Sequence, residues 1–190
     1  MYQRVIPSEK DLPRLVCAGG QQCQAGRREI KMLNKEKLKQ EIAELLSTQK
    51  LAVLSTQSGG GFAYASLIAF AASEDLRTIV LATPRATRKF ANITNNPNIA
   101  LLIDNRSNME KDFHDAKAVT VMGVAQEQAA DGPGKKLAAL YLEKHPYLDA
   151  FLRAPTTAFI SIAVKRYYLV SRFQEVMELH IQNENDLSVK

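Results

Sequence analysis

The spacing of apolar positions along the chain predicts its elements. Asn34 is placed to cap a helix running to about Thr48, in which Leu38, Ile42, Leu45 and Leu46 recur at i, i+4, i+7 and i+8 while charges fill the other face. Leu51 to Thr56 is a short apolar run, Ser58-Gly59-Gly60-Gly61 is turn chemistry, and Phe62 to Ala71 resumes as a strand, so the two runs form a hairpin. Alternation puts Phe62, Tyr64, Ser66, Ile68 and Phe70 on one face of the second strand and Ala63, Ala65, Leu67, Ala69 and Ala71 on the other. That second row is built mostly of small side chains, which leaves room for another layer or a flat ligand.

A turn at Ser73-Glu74-Asp75 leads to a strand from Arg77 to Ala82 that ends at Thr83-Pro84. A short helix follows from Arg88 to about Asn95, and Asn95-Asn96-Pro97 stops it because the residue before proline is pushed out of helical geometry. Ile99 to Asp104 is an apolar strand, residues 105–117 a polar loop, and Ala118 to Gln126 a strand interrupted at Gly123. Asp131-Gly132-Pro133 opens a helix carrying Leu137, Leu140 and Tyr141. His145-Pro146 closes it, and a helical turn at Tyr147 to Leu152 comes next. Strands at Thr157 to Val164, Tyr167 to Val170 and Val176 to Ile181 complete the pattern. Six to eight strands joined mostly by turns predict a mainly β fold, an antiparallel barrel with helical additions. Residues 1–31 lack any sustained apolar period and are expected to form an irregular arm, 32–182 the folded domain, and 183–190 a polar tail.

Composition narrows the function classes. With 190 residues, 46% of them hydrophobic, the chain can build one core. It has no run near the roughly 20 apolar residues that span a bilayer, and its start lacks the charged-then-apolar layout of a secretory signal, so a cytoplasmic protein with no membrane partner is expected. Of the net charge of +5, six basic and three acidic side chains lie within residues 1–31, leaving +2 for the remaining body. A body so weakly charged gives little reason to attract nucleic acid. Cys17 and Cys23 match no four-ligand zinc spacing, and His114, His145 and His180 lie too far apart for a helical metal motif, so no metal site is expected.

The stretch most suggestive of chemistry runs from Leu81 to Ala100: a strand ends in Thr83, a short loop follows, and Thr87 caps a helix that begins Arg88-Lys89. Free backbone N–H groups and the positive end of the helix favour an anion there. Arg88 adds a guanidinium fork suited to phosphate oxygens, Lys89 a compact charge and Thr83 a hydroxyl. On these residues alone the pair fits either a phosphomonoester site or a solvated surface.

The order of features around that pair resembles the pyridoxamine 5′-phosphate oxidase-like flavin-binding family. Ala63-Tyr64-Ala65-Ser66-Leu67-Ile68 upstream and Ala118-Val119-Thr120-Val121-Met122-Gly123-Val124-Ala125 downstream match that family's strands in sequence, and the likeness covers roughly residues 36 to 170. It implies a split β-barrel of FMN-binding type, paired as a homodimer with the flavin in the groove between subunits. On the matching positions, Thr83, Arg88 and Lys89 hold the phosphate, and Tyr64, Ser66, Leu67 and Ile68 line the flavin. Asp104, Asn105 and Arg106 contribute contacts across the subunit boundary.

The departures from the family are informative too. The strand from Ser66 to Ala72 carries no basic residue, and Glu178-Leu179-His180 stands where the vitamin-processing oxidase has a substrate-gripping Arg-x-His, so true pyridoxamine phosphate oxidase activity is not expected. The resemblance implies instead an FMN-dependent oxidoreductase acting on a small molecule, with NADH or NADPH as a possible electron donor and no catalytic side chain assignable. A non-catalytic FMN store or sensor, or a haem- or deazaflavin-binding split barrel, is the alternative.

Overall fold

The computed structural model describes residues 20–171 and 175–181, with side chains from Leu33 onward apart from Pro133 and Glu175. Residues 1–19, which include Cys17, and the tail 183–190 lie outside the described residues, as does the side chain of Cys23. The chain divides into two compact units, residues 1–34 and 35–190. In the first, the described part is helical: α1 spans Gly20–Thr48, so Asn34 is an internal position and not a cap, and residues 20–31 are not irregular. Gln, Ala, Arg, Glu and Lys dominate that stretch, and they favour helix without leaving an apolar stripe.

In the second unit, the expected stripe of α1 is the buried one, with Leu38, Ile42, Leu45 and Leu46 nearly inaccessible. The strands are β1 (Leu51–Gln57), β2 (Ala63–Ala72), β3 (Thr78–Pro84), β4 (Asn98–Asp104), β5 (Lys117–Gln128), β6 (Thr157–Ser171) and β7 (Glu175–His180). All pair antiparallel in the order β3-β2-β1-β4-β5-β6-β7, and a further β3–β6 pairing closes the first six into a barrel. The helices between them are α2 (Arg88–Asn95), the single turn α3 (Asp112–Asp115), α4 (Lys135–Lys144) and α5 (Asp149–Arg153). The architecture is the mainly β barrel that the sequence pattern predicts.

Burial explains how each strand is read. β1 alternates, sending Ala52, Leu54 and Thr56 inward. β3 is buried on both faces: Ile79 and Leu81 enter the barrel core, while Val80 and Ala82 join a second cluster under α4 and α5 with Tyr141, Leu152 and Phe159. A strand covered on two sides reads as a continuous apolar run. The β1–β2 turn closes through Ser58 N–H to Phe62 O at 2.9 Å, and Gly61 at φ 82° occupies a conformation that suits glycine.

Two interruptions expected from the sequence are absent. β5 runs straight through Gly123, where a Cβ would stand 2.6 Å from Ile162 Cγ2 and 2.8 Å from Ala163 O, so this glycine permits close approach and does not break the strand. β6 is likewise one strand, not two. The register between β5 and β6 shifts at Met122/Gly123, which leaves Lys165 without an opposite residue. Lys165 and Arg166 are therefore both exposed, and a pair of adjacent charges breaks the alternation without ending the strand. The expected loop 105–117 also contains α3, held by Asp112, which accepts from Ser107 N at 2.8 Å and Met109 N at 3.1 Å.

His145 ends α4, as its place before Pro146 predicts, and its ring is fully buried. Nε2 lies 2.9 Å from Phe70 O. A carbonyl only accepts, so Nε2 carries the proton of the neutral ring. Burial lowers the pKa below the ordinary 6.5, the Phe70 bond opposes that, and the nearby Lys144 and Lys50 charges reinforce it. A folded-state pKa below the unfolded one means that stability is fully present above about pH 6.5 and falls as the pH drops from there towards the folded value. Thermal melts of the wild type and His145→Gln should thus diverge, with the wild type losing more between pH 7.5 and pH 5. Equal losses in the two proteins would remove His145 from the acid response.

Candidate anion site and outer-face cleft

The β3–α2 corner is built by local hydrogen bonds. Thr87, extended at φ −97° and ψ 150°, caps α2: its hydroxyl accepts from Phe90 N at 3.4 Å and donates to Pro84 O at 2.8 Å. Thr83 Oγ1 lies 3.2 Å from Thr87 Oγ1, and because the Thr87 proton is already given to Pro84, Thr83 is the donor. Thr83 is fully buried, so it shapes the corner and does not offer its hydroxyl to a ligand. Underneath, Asn92 is buried and donates from Nδ2 to Thr56 Oγ1 at 3.0 Å, pinning α2 to β1.

Three cations meet at this corner and differ in their partners. Arg85 is paired with Glu127 of β5, donates to Pro155 O at 3.3 Å and lies 5.5 Å from the Phe90 ring. Arg88 is exposed with its guanidinium 5.8 Å from the Tyr64 ring centroid, and Lys89 is half-buried. Among the described residues neither Arg88 nor Lys89 has a carboxylate within ion-pair distance, and the first turn of α2 contains no acidic residue. Their own backbone N–H groups begin the helix and have no intrahelical acceptor. Two uncompensated cations at the positive end of a capped helix suit a phosphate.

The other residues singled out by sequence are divided between two faces. Ile68 lies in the barrel core, and Ser66 points the same way with its Oγ buried and without a hydrogen-bond partner. Leu67 points outward and is 62% exposed, in register with Val53 and through it with Leu102. These three, with Leu51, Asp104 and Arg106, line a cleft of about 520 Å³. Asp104 and Arg106 pair at 3.1 Å, whereas the Asn105 side chain is used internally, accepting from Lys117 N at 2.7 Å. Within one chain, Asp104, Asn105 and Arg106 are thus not part of the Arg88 corner. Sequence reasoning missed Asn92 and the Arg85–Glu127 pair. An amide at a helix position next to buried Ile93 was a usable signal for the first; the second joins residues 42 apart in sequence and left none.

Among the described residues no group of three or more His, Cys, Asp or Glu side chains is arranged to hold a metal, and no helix is long and apolar enough to cross a membrane. His180 Nε2 lies 2.7 Å from Glu178 Oε1, and the residue is 9% exposed.

A closed six-stranded antiparallel barrel, with a corner helix that starts with two cations lacking a carboxylate partner among the described residues, defines a split-barrel fold. The chain belongs to the pyridoxamine 5′-phosphate oxidase family, whose model matches residues 38–171. Members of this family bind flavin or haem ligands. Among solved structures, the chain is similar to a heme binding protein from Mycobacterium smegmatis (16% identity, TM-score 0.64, covering 73% of this chain and 56% of that one). It is also similar to HutZ, a heme storage protein from Vibrio cholerae (17% identity, TM-score 0.59, 69% of this chain and 92% of that one). A third is a protein from Clostridium acetobutylicum related to general stress protein 26 (15% identity, TM-score 0.61, 77% of this chain and 96% of that one). At these identities the likeness is one of fold. No curated protein matches the sequence.

Proposed function

We propose that the protein is an FMN-dependent oxidoreductase working as a homodimer in the cytoplasm. The observation that carries this reading is the uncompensated Arg88-Lys89 pair at the Thr87-capped start of α2, in a fold whose family binds flavin or haem. Arg88, Lys89 and the first N–H groups of α2 would hold the phosphate, Tyr64 would flank it, and Leu67 would meet the ring system from the outer face. Ser66 and Ile68 contribute through their strand's backbone, since both side chains face inward. FMN, when bound, supplies hydride and electron transfer, and the protein supplies binding and orientation.

The second subunit follows from exposed apolar surface. Leu51 (50% exposed), Leu67 and Met122 (45%) lie on the outer face of neighbouring strands, and a second copy would cover them. Asp104 and Arg106, displaced from the Arg88 corner of their own chain, would then serve the partner's flavin. The electron donor we assign is NADH or NADPH, and the oxidant a small molecule.

Titration of the apo-protein with FMN tests this: saturable quenching of flavin fluorescence is expected, with a dimer by sedimentation and bleaching on anaerobic addition of NADH or NADPH. Binding without bleaching would favour a flavin store or sensor. The names of two similar structures favour a second reading, haem binding, which an intense Soret band on haem addition and no FMN uptake would establish.

A further inference from the structure

Phe62 is 79% exposed, the most of any large apolar side chain among the described residues. It stands at the tip of the β1–β2 hairpin, one residue before β2 begins. Its backbone is fixed there: Phe62 O accepts from Ser58 N at 2.9 Å and from Ser58 Oγ at 3.1 Å, and Gly61 N donates to Ser58 O at 2.9 Å. The Ser58 pair carries the strand ladder one step past Gln57 and Ala63, so alternation puts Phe62 on the same face as Tyr64, about 7 Å further along the strand. The ring rests beside Gly60, where a Cβ would stand 3.5 Å from its Cδ2, and a Cβ at Gly59 or Gly61 would meet nothing within 4 Å. A flat aromatic surface is thus held in place with open space around it. Residues 57–63 contain no titratable side chain.

We propose that Phe62 is a stacking platform for the adenine of a dinucleotide flavin, so that the site takes FAD as well as FMN. The inference rests on Arg88 and Lys89 holding the flavin phosphate. Arg88 lies against Tyr64, and α2 is tied to the hairpin by Asn92 Nδ2, which donates to Thr56 Oγ1, while Thr56 is the partner of Tyr64 in register. Along β2 the order is then Leu67 at the ring system, Tyr64 at the phosphate about 10 Å away, and Phe62 beyond it. FAD has the same order: isoalloxazine, ribityl chain, two phosphates, ribose and adenine. What extends past the first phosphate therefore runs towards the hairpin tip. Arg88 and Lys89 match the combined charge of the two phosphates. The uncharged tip suits a neutral purine and gives nothing to hold an anionic tail.

Cutting an aromatic platform back to alanine weakens binding of the base stacked on it by about tenfold or more. The full-length apo-protein is titrated calorimetrically with FMN and with FAD, as wild type, Phe62→Ala and Phe62→Trp, with circular dichroism as the check on folding. FAD affinity should fall about tenfold in Phe62→Ala and be kept in Phe62→Trp, while FMN affinity stays within about twofold in all three proteins. A phenylalanine that only covers Gly60 would leave both affinities unchanged. FMN binding without FAD binding, or an FAD affinity indifferent to Phe62→Ala, overturns the adenine site and leaves the phosphate reading standing. An equal loss for both flavins overturns it too, since the platform touches only the part of FAD that FMN lacks. Failure to bind either flavin overturns the adenine site and the phosphate reading together.

Discussion

Replacing Arg88 and Lys89 together by alanine is expected to weaken FMN binding by about two to four orders of magnitude. Each would donate a charged hydrogen bond to the phosphate, an interaction that contributes about 1.5–3 kcal/mol, so losing both costs roughly 3–6 kcal/mol of affinity. Folding should be nearly untouched. Among the described residues neither side chain has a carboxylate partner to abandon, and the Arg88–Tyr64 contact contributes only about 0.5–1 kcal/mol at an exposed site. Arg85→Ala is the matched control, because that guanidinium is already neutralised by Glu127 and should alter FMN affinity far less. Fluorescence titration of the three proteins, with circular dichroism to confirm folding, measures the difference. A double variant that retained its full flavin affinity would falsify the placement of the phosphate.

The largest loss of stability is expected from Phe70→Ala. Phe70 is wholly inaccessible, sits on β2 within the barrel core, and holds two further elements: its ring lies under Lys144 Nζ and its carbonyl accepts from His145. Truncating a buried phenylalanine costs about 3–5 kcal/mol, from lost burial and from the cavity left behind. Since domains of this size are stable by only about 5–15 kcal/mol, the midpoint of thermal unfolding should fall by roughly 6–20 °C. Calorimetry of the variant gives the number. A shift below a few degrees would mean that the barrel collapses around the cavity or that the Phe70 region contributes little to the cooperative unit.

Elements whose cause is local were legible in the sequence. α2 begins where Thr87 can cap it and ends where Asn96-Pro97 forbids continuation, and both effects act within one helical turn. The two faces of β2 follow from alternation alone, which separates Phe70 from Leu67, although only burial shows that the Phe70 face is the inner one. Where pattern was silent or broken, the reading went wrong: a helical stretch without an apolar stripe hid the start of α1, and a register shift at Met122/Gly123 disguised β6 as two strands.

The candidate site divides along the same line. By itself the sequence determined that two cations stand at the start of a capped helix, because that depends only on neighbours in the chain. Whether those cations were free or neutralised depended on groups far along the chain, and only the tertiary structure decided it: closure of the barrel brings Glu127 to Arg85 and, among the described residues, leaves Arg88 and Lys89 without a carboxylate partner. Tertiary packing likewise buried Thr83, turned Ser66 and Ile68 into the barrel, set Asp104 and Arg106 beside Leu67, and placed Lys144 against Phe70. Charge compensation and burial are relations between distant residues, and a one-dimensional pattern has no term for them.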